Sequence, residues 1–160
     1  MNKAEVLREL AEGRAAFMET LAGLTDEDLL KDGVIGEWSI KDVLFHLTMW
    51  EAELVKLLWQ VSQNQVPSTI HFSEASDEEI NRDWVNLGQE RPLDQVWQDF
   101  HAVRKQTVRR VEALSPGDFD DPQRFPWLKG QPLSTWIAGS SFQHEAEHAE
   151  QIRLWRENLP

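Results

Sequence analysis

The stretch SIKDVLFHLTMWEAELVKLLWQVSQ, residues Ser39 to Gln63, carries the clearest helix signal in the chain. Ser39 and Asp42 form a capping box, the pattern in which the two residues bind each other's backbone amides at a helix start. The apolar residues that follow recur every three or four positions, as on the buried face of an amphipathic helix: Val43, Leu44, Leu47, Trp50, Leu54, Leu57, Leu58 and Val61. This pattern predicts a long helix that packs along one face.

Three more amphipathic helices are predicted on either side of this stretch, because apolar residues recur there with the same period. They span Lys3 to about Leu24, Pro92 to about Leu114, and Pro132 to a point near the chain end. Gly, Pro and Asp mark residues 25–38 and 115–131 as connections without a helix or strand of their own, although the first begins with a short capped turn at Thr25, with Asp28 three residues on. A long crossover, Asn64 to Arg91, joins the second and third helices and contains one short helix near Asp77 to Leu87. The sequence therefore predicts an all-α, four-helix bundle that forms a single domain over residues 1–160.

The composition restricts the classes of function. The chain carries 28 acidic against 16 basic residues, a net charge of -12, and from this field we expect neither nucleic acid nor a membrane as a partner. It has no cysteine, which excludes disulfides, cysteine metal sites and a protein thiol nucleophile, and no leader or membrane span is recognisable. We expect a cytoplasmic protein. Eight tryptophans suggest an aromatic cavity or interface and favour a homodimer.

The fourth predicted helix, STWIAGSSFQHEAEHAEQIRLW from Ser134 to Trp155, places His144 and His148 four residues apart. Residues at this spacing share one helix face, so the two imidazoles can bind one metal ion. The alternative is that both histidines lie at the edge of the core and are satisfied by hydrogen bonds. His46, at the margin of the buried face of the second helix, is a candidate third ligand, with a structural role as its alternative. His71 and His101 are expected to be exposed.

The segment HEAEH, residues 144–148, also matches the H-E-x-x-H pattern of zinc peptidases, in which Glu145 would be the general base. Those enzymes take a third ligand from further along the chain, and only 12 residues follow His148. Positions 151 and 154, where such a ligand could lie, are Gln and Leu. A peptidase is therefore rejected, and a third ligand is expected from upstream.

Two motifs resemble one known family in order and spacing. GEWSIKDVLFHLTMWE, Gly36 to Glu51, is similar to the second-helix signature of the DinB-like four-helix-bundle superfamily, and HEAEHAEQI, His144 to Ile152, is similar to its fourth-helix motif. The region from Arg91 to Phe119 and the overall length resemble the DfsB-like branch, whereas residues 67–90 match least well. In metal-binding members, one histidine of the second helix and two of the fourth form a three-histidine site. The resemblance thus implies His46, His144 and His148 as the ligands of a divalent metal.

The resemblance also implies a choice of reactions. Several members are transferases that use a small thiol such as bacillithiol or mycothiol, or isomerases that depend on it, while the DfsB-like branch includes members without the triad and hydrolases of reactive small molecules. Because this chain lacks cysteine, a thiol would have to arrive as a cosubstrate. Zinc or nickel is the expected ion, with iron and cobalt also compatible with imidazole ligands. A small electrophile is expected against Trp50 or Trp136, and three side chains are candidates to orient the imidazoles: Glu145, Glu147 and Gln151. For Glu145, about 100° around the helix from His144, a solvated side chain is the alternative. A non-enzymatic bundle that sequesters a small molecule is the remaining alternative.

Overall fold

The computed structural model describes residues 1–158, which form an all-α bundle and confirm the predicted fold class. These residues contain no strand, apart from one isolated antiparallel bridge between Ile35 and Trp38. The helices are α1 (Lys3–Leu21), α2 (Asp26–Leu29), α3 (Ile40–Ser62), α4 (Asp77–Gly88), α5 (Leu93–Ala113), α6 (Leu133–Gly139) and α7 (Phe142–Glu157). Short 3-10 turns lie at Ile70–Phe72, Pro116–Asp118 and Pro126–Leu128. The long crossover between α3 and α5 carries α4, as predicted.

Capping boxes set the start of four of these helices. The side chains of Asn2, Thr25, Ser39 and Ser76 each accept a hydrogen bond from a backbone amide of the first turn, and the acidic residue three positions later binds the cap backbone in return. The Ser39 box and the capped turn at Thr25 were both predicted from sequence. The Thr25 box supports α2, a one-turn helix within a segment that we predicted to be only a connection. That prediction is wrong because the cap satisfies enough amides to hold a single helical turn.

The fourth predicted helix is two helices, and this is the main correction to the predicted architecture. Its backbone leaves the helical conformation at Ser141 (φ -140°, ψ -103°), between the end of α6 and the start of α7. The Ser141 hydroxyl donates a hydrogen bond to the carbonyl oxygen of Ile137, four residues earlier. Gly139 and two serines in succession weaken the helix here, because small and hydroxylated residues favour non-helical backbone and local side-chain bonds.

The core consists of two apolar clusters with buried charges between them. One surrounds Leu10, Leu57 and Phe119, and the other surrounds Phe17, Leu44 and Phe100. The long helices pack as two pairs, α3 on α5 and α1 on α7, with further contacts between α1 and α5 and between α3 and α7. None of the helices within residues 1–158 has both the length and the apolar character that crossing a membrane requires.

Candidate functional site

His46, His144 and His148 converge on one point where α3 and α7 meet. The Nε2 atoms of His46 and His144 lie 2.9 Å apart, and those of His144 and His148 lie 3.2 Å apart. His46 is the most buried of the three, with 3% of its surface exposed. The structure thus brings the three candidate ligands together, although His46 lies 98 residues before His144 and 102 residues before His148 in the sequence. The i,i+4 spacing on α7 accounts for one contact, and the packing of α7 on α3 accounts for the other.

Hydrogen bonding alone does not satisfy this arrangement. A neutral imidazole nitrogen carries either one proton or one lone pair, both in the ring plane. His144 Nε2 is within hydrogen-bond distance of two other Nε2 atoms, so it can make a proper bond with only one of them at a time. A cation at the centre removes the conflict, because all three nitrogens then present lone pairs. Imidazole nitrogens about 2.0–2.1 Å from a shared zinc ion are separated by about 2.9–3.4 Å for right-angle to tetrahedral geometry, which matches the observed spacings.

The surroundings keep all three imidazoles neutral, the form that binds metal. Burial, reinforced by the positive charge that His144 and His148 would carry, lowers the pKa of His46 to about 3. Burial and the neighbouring His148 lower the pKa of His144 to about 4, and burial lowers that of His148. At neutral pH, protons therefore do not compete with a metal ion for these nitrogens.

Of the residues expected to orient the imidazoles, Gln151 makes such a contact. Its Oε1 lies 2.7 Å from Nδ1 of His148, which leaves Nε2 of that ring free to face the other two histidines. Glu147 is exposed and lines the cavity beside the histidines. His46 Nδ1 is buried and has no hydrogen-bond partner within residues 1–158.

Glu145 is in a different place from the one that its sequence neighbours suggested. We expected a solvated side chain or an orienting partner of the histidines, but Glu145 is 1% exposed and faces the core. Its Oε1 accepts hydrogen bonds from Nε of Arg14, at 2.7 Å, and lies 3.0 Å from Nη2 of Arg104. The expectation is wrong because the position about 100° around α7 from His144 points between α1 and α5, where two arginines are buried.

Glu51 of α3 completes this buried ion cluster. It accepts hydrogen bonds from Nε of Arg104 at 2.7 Å, from Nη2 of Arg14 at 3.3 Å and from the Thr107 hydroxyl at 2.7 Å. Two arginines and two glutamates therefore balance in charge and connect α1, α3, α5 and α7. A signal for these residues exists in the sequence, since each falls on an apolar stripe: Arg14 between Leu10 and Phe17, Glu51 between Leu47 and Leu54, and Arg104 between Phe100 and Thr107.

A cavity of about 560 Å³ opens beside the three histidines. Trp38 and Trp50 form aromatic parts of its wall, and the Trp50 indole donates a hydrogen bond to Oδ1 of Asn81 at 2.8 Å. Trp38 and Asn81 were not singled out from the sequence. Trp50 lines the cavity as expected, whereas Trp136 is not among the lining residues and contacts His71. Ser140 also lines the cavity, whereas Ser141 is buried at the helix break.

His71 lines the same cavity in addition to the three converging histidines, and our expectation that it is exposed is wrong. The crossover folds back over α3, so that the His71 ring packs between Trp50 and Trp136 with centroid distances of 5.4 and 5.7 Å. Burial lowers its pKa, and the carboxylates of Glu53 and Asp77 oppose that shift. The segment is fixed by a hydrogen bond from the Ile70 amide to Glu53. His101 is exposed on α5, as predicted.

Comparison with known proteins yields one family and several structural neighbours. The family model of the DinB superfamily matches residues 9–152. A crystal structure of the colibactin self-resistance protein ClbS in complex with dsDNA has a TM-score of 0.83 at 10% identity, covering 99% of this chain and 98% of that one. An uncharacterised protein from Escherichia coli UTI89 has a TM-score of 0.78 at 18% identity, with 98% and 94% covered. A Streptococcus pneumoniae protein has a TM-score of 0.82 at 11% identity, with 100% and 93% covered. Among curated proteins, none matches this sequence.

The ClbS complex overturns one prediction made from charge. We predicted from the net charge of -12 that nucleic acid is excluded as a partner, but a protein of the same fold has been solved with double-stranded DNA. The prediction is wrong because net charge is a sum over the whole surface, whereas binding depends on local charge. The present chain illustrates the difference: Lys105, Arg109 and Arg110 lie within six residues of α5 despite the acidic total.

Proposed function

The chain belongs to the DinB superfamily, and on that basis we propose that it is a metal-dependent enzyme that holds one divalent ion on His46, His144 and His148. The observation that carries this proposal is the convergence of their ring nitrogens: Nε2 of His144 lies 2.9 Å from that of His46 and 3.2 Å from that of His148. Zinc or nickel is the expected ion, because neutral imidazole suits both. Three protein ligands leave room for a further ligand, which is typical of catalytic rather than structural sites.

The proposed reaction is the transfer of a low-molecular-weight thiol to a small electrophile. A divalent ion bound here would lower the pKa of a thiol or water molecule that reached it, which makes either a better nucleophile at neutral pH. The chain has no cysteine, so the sulfur must come from a cosubstrate. In the transfer, a carbon–sulfur bond forms, the bond from that carbon to its leaving group breaks, and the thiol proton passes to solvent.

The chain's own residues contribute position and shape to this reaction. Gln151 fixes the ring of His148 through Nδ1, and burial keeps the three imidazoles unprotonated. Trp38 and Trp50 offer flat apolar surfaces against which an electrophile can lie, beside the histidines rather than on the far side of the bundle. We also propose that the chain belongs to the DfsB-like branch. The alternative reaction is then hydrolysis of a reactive small molecule, with water in place of the thiol as the nucleophile.

Metal content tests the first part of the proposal. Untagged protein, dialysed against zinc and then against buffer, should retain about one equivalent by mass spectrometry of the metal, and His148→Ala should retain less than about a tenth. His101→Ala is the matched control, because His101 is exposed on α5 and should leave the metal content unchanged. Equal zinc in both variants would refute the site.

Thiol dependence tests the second part. A metal-loaded sample should be stabilised against heat by a cognate thiol through mass action, and EDTA should remove that effect. With an electrophilic aryl halide as the probe, release of halide should require both metal and thiol if the reaction is a transfer. Release with metal but without thiol would instead identify a hydrolase, and no release with any thiol would leave a bundle that only sequesters small molecules.

A further inference from the structure

The cavity beside the three histidines has a one-sided set of charges. Two charged side chains other than histidine line it, Asp77 at the start of α4 and Glu147 on α7, and both are acidic. Lys and Arg do not occur among the lining residues of the described chain. The other main features of its wall are the aromatic rings of Trp38 and Trp50. A ligand that enters thus meets negative charge and aromatic faces together.

These two carboxylates are not neutralised by neighbours. Within residues 1–158, neither Asp77 nor Glu147 has an ion-pair partner, although acidic residues elsewhere in the chain do, such as Glu150 with Arg153. Both are exposed at the cavity rather than committed to the fold. Their field therefore acts on whatever occupies the cavity, and cavities with walls of low polarizability concentrate such fields.

A neighbouring cavity extends the same charge pattern outward. It has a volume of about 510 Å³ and shares Trp38 and Asn81 with the first, so these two side chains form a common wall. Four carboxylates line it against one arginine, Arg82, and these are the acidic residues Asp32, Glu37, Asp42 and Glu78. Acidic side chains thus outnumber lysine and arginine in the lining of both cavities.

Two observations independent of the carboxylates mark the cavity as a binding site. The three imidazole nitrogens converge at its edge. The nearly fully buried His46 is one of its lining residues, and its Nδ1 atom has no hydrogen-bond partner within residues 1–158. Tryptophan faces also attract ammonium groups, because the ring carries negative charge density above its plane. The same wall therefore suits a cation by two separate physical effects.

From these charges we propose that the cavity selects cationic over neutral and neutral over anionic small molecules, with Asp77 and Glu147 as the residues that determine this specificity. This inference rests on the proposed function, because it names the class of substrate or thiol that the site takes. The part of that molecule between Trp38 and Asp77 carries an amine, and not a carboxylate or phosphate. An anionic group there would face two unpaired carboxylates, and no lysine or arginine is among the lining residues to bind it.

Three aromatic probes of similar size test the selection without relying on a metal. Benzylammonium, benzyl alcohol and benzoate are titrated at low ionic strength into the metal-free full-length protein, and binding is read from the indole N–H signals in a proton–nitrogen NMR spectrum. We expect benzylammonium to bind about tenfold or more tightly than benzoate, with benzyl alcohol between them, and the ratio to shrink in 0.5 M salt, where screening lengths fall to about 3–5 Å.

Substitutions then assign the effect to the two carboxylates. The double variant Asp77→Asn, Glu147→Gln should bring the ratio close to unity, while Glu150→Gln, which removes one carboxylate charge from α7 outside the cavity lining, should leave it as in the wild type. Benzoate binding as tightly as benzylammonium, or an unchanged ratio in the double variant, would overturn the proposal. Zinc retention is measured on a separate sample. A protein that fails to retain zinc would contradict the proposed function, whereas the titration of the metal-free protein would still decide whether the cavity selects cations.

Discussion

Glu145 offers the sharpest test of how the bundle is held together. We predict that Glu145→Gln destabilises the protein severely, whereas Glu150→Gln on the same helix does not. Both changes replace one carboxylate of α7 by an amide of nearly the same shape. Glu145 is 1% exposed and is bound by Arg14 and Arg104, while the side chain of Glu150 is more than half exposed and pairs with Arg153. The two variants therefore separate the effect of a buried charge from the effect of the chemical change.

The magnitude follows from the balance of charges in the cluster. Two arginines face two glutamates, so removing one carboxylate leaves a net positive charge in the core. Breaking a buried pair in this way costs about 3–5 kcal/mol, since the remaining ion stays desolvated. The glutamine oxygen can still accept a hydrogen bond from Arg14. Its NH2 group would take the place of Oε2, which has no partner within residues 1–158, so no further hydrogen bond is lost. We therefore expect about 3 kcal/mol, the lower end of this range.

Urea unfolding measures this difference directly. For a domain of this size, 3 kcal/mol corresponds to a fall in melting temperature of about 6–12 °C, and the urea midpoint should move with an unchanged slope. Glu150→Gln should unfold with the wild type, because exposed ion pairs add little to stability. Unfolding midpoints that agree between the two variants would refute the reasoning, as they would mean that the cluster contributes no more than a surface pair.

Two further predictions concern the histidines and the packing of α7. The metal-free protein should lose stability as the pH falls below about 6.5. In the folded state burial lowers the pKa of His46 to about 3 and that of His144 to about 4, so only the unfolded chain binds protons at these histidines. Urea unfolding at pH 7, 6 and 5 gives the slope of the unfolding free energy against pH, and His46→Asn should reduce that slope by about 1.4 kcal/mol per pH unit. Gly13→Ala should cost about 1–3 kcal/mol, because the new Cβ would lie 2.7 Å from Cβ of Phe142 where α1 crosses α7. Gly139→Ala, where nothing lies within 4 Å, is the control, and equal midpoints for the two alanine variants would contradict the close approach.

The parts of the fold that depend on local chemistry could be predicted from the sequence. The helix from Ser39 was predictable because its cap and its apolar period agree, and the His144–His148 contact was predictable because the i,i+4 spacing is a property of any helix. The convergence of His46 on this pair could not be worked out from spacing alone. It depends on how α3 and α7 pack, and only the resemblance to a known family indicated that the three positions meet.

Other features could not be predicted from the sequence, because they arise from tertiary contacts that override local preference. His71 lies in a segment without a regular period, so nothing in its neighbours indicated that it would pack between Trp50 and Trp136. The break at Ser141 was hidden by an apolar stripe that continues through it, although the run of Gly139, Ser140 and Ser141 was a signal for it. A stripe predicts which residues face the core, but it does not show whether one straight helix presents them.

The H-E-x-x-H match of α7 can be explained by the two faces of one helix. His144 and His148 lie on the face toward α3, and Glu145 lies about 100° around the helix, on the face toward the buried arginines. Arg14 and Arg104 occupy the carboxylate that a peptidase would use as a base, and burial raises the pKa of Glu145 against the opposing effect of these arginines. His144 and His148 thus converge at the cavity, whereas Glu145, through the buried ion cluster, connects α7 to α1, α3 and α5. Since Glu51, five residues after His46, is bound by the same two arginines, the ion cluster also relates the axial position of α3 to that of α7. The spacing between His46 and His144 therefore depends on the charges behind them, and Glu145→Gln should weaken zinc retention as well as stability.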